Sequence, residues 1–104
     1  MFRHVVMFTW TEAATDREIS GVAQQLAALP GLIGTIRDYR FGADAGVNED
    51  TCDFVLVADF DDAAGYLTYR DHPEHQRVIR DHIAPVLAER HAVQCTLDRD
   101  RGVT

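Results

Sequence analysis

The sequence predicts an α+β domain of order βαββαβ, with four antiparallel strands and both helices on one face of the sheet. Three observations predict it. Apolar, β-branched and aromatic runs of strand length recur four times along the chain. A helical apolar period separates the first run from the second and the third from the fourth. Only a short acidic, glycine-containing loop separates the middle two.

Residues 3–10 read Arg-His-Val-Val-Met-Phe-Thr-Trp, the first strand. One face carries His4, Val6, Phe8 and Trp10; the other carries Val5, Met7 and Thr9. Both faces are mostly apolar, so both need cover. Thr15 followed by Glu18 is a capping-box pattern. Ile19, Val22, Ala23, Leu26 and Leu29 then follow helical spacing, and Pro30-Gly31 is a stop signal, which predicts a helix over 16–29. The second strand is read over 33–42, the acidic loop over 43–51 and the third strand over 53–60. Asp61 or Asp62 can cap the next helix, which carries Tyr66, Leu67 and Tyr69. Pro73 disfavours helical angles at His72 and suits the first position of a new helix. That helix has Val78, Ile79, Ile83, Val86 and Leu87 on its apolar side, with an interruption expected at Pro85. A fourth strand is read over 91–98, giving one domain over 1–98 and a loose tail over 99–104.

Four such strands with both helices on one side make a ferredoxin-like layout, in which the second sheet face is bare. Here that face is apolar, and pairing of two copies through their sheet faces covers it, giving a dimeric α/β barrel. The same layout keeps Cys52 and Cys95 about two strand spacings apart, roughly 10 Å. A disulfide needs Cα atoms within about 7 Å, so both thiols are expected to be free.

Composition bounds the function. The 104 residues carry 17 acidic and 10 basic side chains, a net charge of −7. The basic residues are all arginine and are scattered, which argues against a nucleic-acid partner. No apolar run approaches a membrane span, and the first residues enter a strand pattern with no signal-peptide layout. A cytoplasmic location without membrane association is the expectation.

Several stretches point further: Arg3-His4-Val5-Val6 at the start, Phe54-Val55-Leu56-Val57-Ala58-Asp59-Phe60, and Tyr69-Arg70-Asp71-His72-Pro73-Glu74-His75. Over about residues 1–98 the chain resembles the stress-responsive A/B barrel, or Dabb, domain family. The resemblance implies a homodimeric α/β barrel. Most members look like stress-associated proteins without a defined reaction. One plant branch contains polyketide cyclases that close a linear polyketide by an intramolecular aldol step. By similarity, the catalytic Tyr and His of that branch fall on Tyr69 and His75, a pocket histidine on His4, and a further motif position on His72. The plant pocket takes aromatic residues from its first helix, where this chain offers Ile19 and Val22.

The residue types suit such chemistry. A histidine near its ordinary pKa of about 6.5 accepts a proton from carbon beside a carbonyl near neutral pH. A tyrosine hydroxyl donates to the developing enolate oxygen. His75 is read as the base and Tyr69 as the donor, and no cofactor is required. The break at His72-Pro73 lets the two side chains converge. A purely architectural reading stands beside this: His72 and His75 as capping groups, Tyr69 and His4 as core residues. His4, His72, Val6, Phe8 and Val22 are the expected walls of a pocket between sheet and helices. No metal site is expected: His75 and His82 lie seven residues apart on a helix, roughly 10 Å along its axis, too far to share a zinc ion. Two functions follow: a Dabb-type protein that binds a small hydrophobic molecule without turnover, or a cofactor-free aldol cyclase.

Overall fold

The computed structural model describes residues 1–97. The elements are β1 (Phe2–Trp10), α1 (Asp16–Leu32), β2 (Asp38–Ala43), β3 (Phe54–Phe60), α2 (Ala63–Asp71), α3 (Pro73–Val78) and β4 (Leu87–Thr96). A π turn (Ile79–Ile83) and a 3-10 turn (Ala84–Val86) join α3 to β4. The strands form one antiparallel sheet in the order β2-β3-β1-β4, which is the ferredoxin-like order. The tail expected over 99–104 lies outside the described residues.

The core fills the space between helices and sheet. Val6 and Phe8 of β1, Leu56, Ala58 and Phe60 of β3, and Val22, Leu26 and Leu29 of α1 are all buried there. Alternation in β1 sends Val5 and Met7 to the opposite face, where Val5 sits between Val57 and Val93, and Met7 between Val55 and His91. That face stays open: Met7 is 39% exposed and Val93 57%. At its end Arg3 lies opposite Asp59 and donates to both carboxylate oxygens, at 2.7 and 2.8 Å. Sliding β1 by one residue would bury Arg3 on the core face and strand Asp59, so the pair holds the register.

Both expected caps form. Thr15 and Glu18 exchange the two capping-box bonds, and Asp62 accepts from the Gly65 amide. Cys52 and Cys95 are free. Three boundaries differ from the sequence expectation. Helix α1 runs past Pro30 to Leu32, because Val22, Leu26, Leu29 and Ile33 share one buried face. Burying Ile33 is worth about 1.5–3 kcal/mol, enough to offset most of a proline penalty of about 3 kcal/mol. Strand β2 starts at Asp38 because Ile33–Arg37 forms a turn, tied by the Arg37 guanidinium to the Gly34 carbonyl (2.9 Å) and to Asp61 (3.0 Å). Strand β4 starts at Leu87, where Pro85 ends the helical run in a 3-10 turn.

Candidate functional site

The site grows from one row across the sheet. Tyr39 of β2 faces Ala58 of β3, Ala58 faces His4 of β1, and His4 faces Gln94 of β4, all on the helix-covered side. Ala58, the smallest of the four, leaves room above the row. Tyr69 of α2 reaches across it, fully buried, and its hydroxyl meets that of Tyr39 at 2.8 Å.

The break after α2 positions the next residues. His72 is extended (φ −63°, ψ 134°), and Pro73 opens α3. His72 Nδ1 accepts the Glu74 amide at 3.1 Å, the bond of an N-cap. The chain therefore turns back, and the His75 ring stacks on Tyr69 with centroids 4.1 Å apart and planes at 30°. His75 Nδ1 lies 3.0 Å from the Arg70 carbonyl at the end of α2. A carbonyl only accepts, so Nδ1 carries the proton and Nε2 keeps its lone pair. Nε2 has no hydrogen-bond partner among the described residues, and it is not sealed from solvent.

His4 has the complementary arrangement. Gln94 Nε2 lies 2.9 Å from His4 Nδ1. With the amide nitrogen on that side, Nδ1 accepts and Nε2–H is the free donor. The His4 ring packs 4.9 Å from Tyr66 and 6.4 Å from Tyr69. Burial, aided by the charges of Arg90 and His75, lowers its pKa to about 4. Burial likewise lowers that of His75; the bond to the Arg70 carbonyl opposes the shift and the Arg90 cation adds to it. Both imidazoles are thus neutral at pH 7. Burial pushes Tyr39 up to about 12 and Tyr69 well above the ordinary phenol range, the latter aided by Tyr39, so both remain hydroxyls.

These groups surround a cavity of about 190 Å³ between sheet and helices. The sheet supplies Val6, Phe8 and Leu56 to its wall, and α1 supplies Leu26. The wider π turn brings Ile79 and Ile83, four residues apart, to the same cavity. Its polar groups include His4, Tyr66, Tyr69 and His75, and Arg90 of β4 stands on the lining.

Among the residues expected at a pocket, His4, Val6, Phe8, Tyr69 and His75 come together here. His72 and Val22 do not line the cavity. The His72 ring is held by its capping bond, and Val22 is fully buried one turn before Leu26, which takes the wall position instead. Sequence reasoning missed Tyr39, Tyr66, Arg90 and Gln94. Alternation along β4 puts Arg90 and Gln94 on one face, but only the β1–β4 register sets Gln94 against His4. Among the described residues, no group of three side chains is gathered to hold a metal ion, and no helix is long and apolar enough to cross a membrane.

In chemical terms the cavity is apolar, with one proton acceptor (His75 Nε2), one neutral donor (His4 Nε2–H) and a tyrosine pair at one end. For Tyr69 to offer its proton inward, Tyr39 must donate to Tyr69, since each hydroxyl has a single hydrogen.

Known proteins place this architecture. A dimeric ferredoxin-like protein of unknown function from Thermobifida fusca is 40% identical, with a TM-score of 0.86 over 92% of this chain and 90% of its own. A Dabb family protein from Mesorhizobium loti is 23% identical, with a TM-score of 0.78 over 92% and 95%. A hydroxynitrile lyase from Passiflora edulis is 14% identical and shares the fold, with a TM-score of 0.83 over 94% of each chain. No match was found among curated proteins. The profile of the stress-responsive A/B barrel domain family matches residues 2–96. With that match over nearly the whole described chain, and with the sheet order to go with it, the protein belongs to the Dabb family.

Proposed function

We propose that this protein binds a small, largely apolar carbonyl compound between its sheet and helices, and that it does so as a homodimer joined through the open sheet faces. One observation carries the binding reading: an apolar-walled cavity of about 190 Å³ in which His4, Tyr69 and His75 meet. An engineered apolar cavity of about 150 Å³ accepts benzene, so the space suits one ring with a short polar arm. The dimer reading rests on the exposed Met7, Val55 and Val93 patch around the half-buried Val5, and on the dimeric state of the Thermobifida fusca relative.

A second reading is favoured by the free lone pair of His75 Nε2. In a cofactor-free aldol closure, His75 takes a proton from the carbon beside a carbonyl, and the electron pair moves to the carbonyl oxygen as an enolate. Tyr69, supplied by Tyr39, donates to that oxygen, with His4 as a further donor. The enolate carbon then bonds to a second carbonyl carbon of the same molecule. The alkoxide formed there recovers the proton from His75.

The test is exchange of the α-protons of acetophenone in D₂O, followed by NMR alongside binding. Binding with exchange above buffer, reduced about 10²-fold or more in His75→Gln, supports the catalytic reading. Binding with no exchange leaves the protein a binder and removes the chemistry. If the compound causes no shift in any cavity residue, both readings fail. For the assembly, sedimentation should give a dimer that Val93→Glu converts to monomer; a monomeric parent protein would sink the sheet-face interface.

A further inference from the structure

We propose that the cavity selects an anionic ligand, a compact carbonyl compound bearing a carboxylate, and that Arg90 is the residue that selects it. This rests on the binding reading above and names the ligand class for the same cavity.

The arginines around the helices differ in what holds them. Arg70 also lines the cavity, but its guanidinium is committed to Asp71 at 2.8 and 3.1 Å. Arg77 bonds Glu74 and Gln25. Arg90 alone among the cavity's cations has no ion pair with a described residue. It sits opposite Phe8 on β4, so its side chain leaves the sheet on the cavity side, away from the open face. The neighbouring acid on the strand, Glu89, alternates to the other face and pairs with His91.

Arg90 also lies within electrostatic reach of the site. Its charge is felt at His4, Tyr69 and His75 alike, in each case disfavouring positive charge or favouring negative charge. Two neutral imidazoles inside the apolar cavity therefore face an unpaired guanidinium at its exposed rim. A neutral ligand leaves that cation to solvent alone. A carboxylate fits the guanidinium fork with two parallel bonds, and a single cation matches a single negative charge. The ligand's apolar body then lies against Val6, Leu26 and Leu56, with its carbonyl toward His4 and His75.

Benzoylformate and acetophenone test this, because they differ by a carboxylate in place of a methyl group. Titrations followed by NMR at low ionic strength should show benzoylformate binding about tenfold or more tightly than acetophenone, the ratio expected of one charge-assisted contact. Arg90→Gln, at an exposed strand position, should erase that ratio by weakening benzoylformate binding about tenfold more than acetophenone binding. Added salt should shrink the ratio in the parent protein. Equal affinities in the parent protein, or an advantage that survives in Arg90→Gln, would overturn the proposal while leaving the cavity a binding site. Binding of neither compound would remove the binding reading and this proposal together.

Discussion

Helix α1 and the broken arm of α2, α3 and the turns after it cover the same face of the sheet by different means. Helix α1 is continuous over 17 residues and buries Val22, Leu26 and Leu29 along one stripe. It carries no titratable group to the cavity and supplies only Leu26 to the wall. The second arm changes direction at His72 and again at the π turn, so it cannot press a continuous stripe on the sheet. What it leaves is a cavity, into which it turns the polar groups Tyr66, Tyr69 and His75 beside the apolar Ile79 and Ile83. A regular helix makes core, while an interrupted one makes space and turns side chains into it.

The two arms should therefore answer differently to substitution. The largest effect belongs to α1: Leu29→Ala, fully buried and off the cavity wall, should cost about 2–5 kcal/mol in urea unfolding with ligand affinity unchanged in the folded protein. Next is the pH response of the site. Because His4 has a folded pKa of about 4, below its unfolded value of about 6.5, it binds a proton more readily when unfolded. Its neutral form costs nothing above pH 6.5; as pH falls from there toward 4, stability should drop by up to about 1.4 kcal/mol per pH unit. His4→Phe should flatten that decline between pH 6.5 and 4, and an unchanged slope would mean that His4 is not held neutral. The smallest effect is at the break. His72→Ala removes the α3 cap and should cost about 1 kcal/mol, yet it should weaken ligand binding as well, because the same bond orients the turn that brings His75 onto Tyr69. Loss of stability with intact binding would separate the break from the cavity.

Much of the fold was legible because its signals are local. The capping box at Thr15, the Asp62 cap and the His72-Pro73 break are each set by residues within three or four positions of one another. The two-faced apolar pattern of β1 was legible for the same reason, and with it the open sheet face. Pro30 shows where local reading failed: the stop signal was real, but burial of Ile33 against the sheet outweighed it. At the site, the approach of His75 to Tyr69 could be expected from the break between them. The partners of that pair could not. Tyr39 is 30 residues from Tyr69, and Gln94 is 90 from His4.

By itself, the sequence determined the element order, the caps, the break after α2 and the chemical types available, because these depend on propensities and short-range bonds. Tertiary structure decided which of those residues share a cavity, that two histidines there are neutral, and that Gln94 and the Arg70 carbonyl choose their protonated nitrogens. Strand register and burial settle such matters, and both arise only when segments distant in the chain pack together.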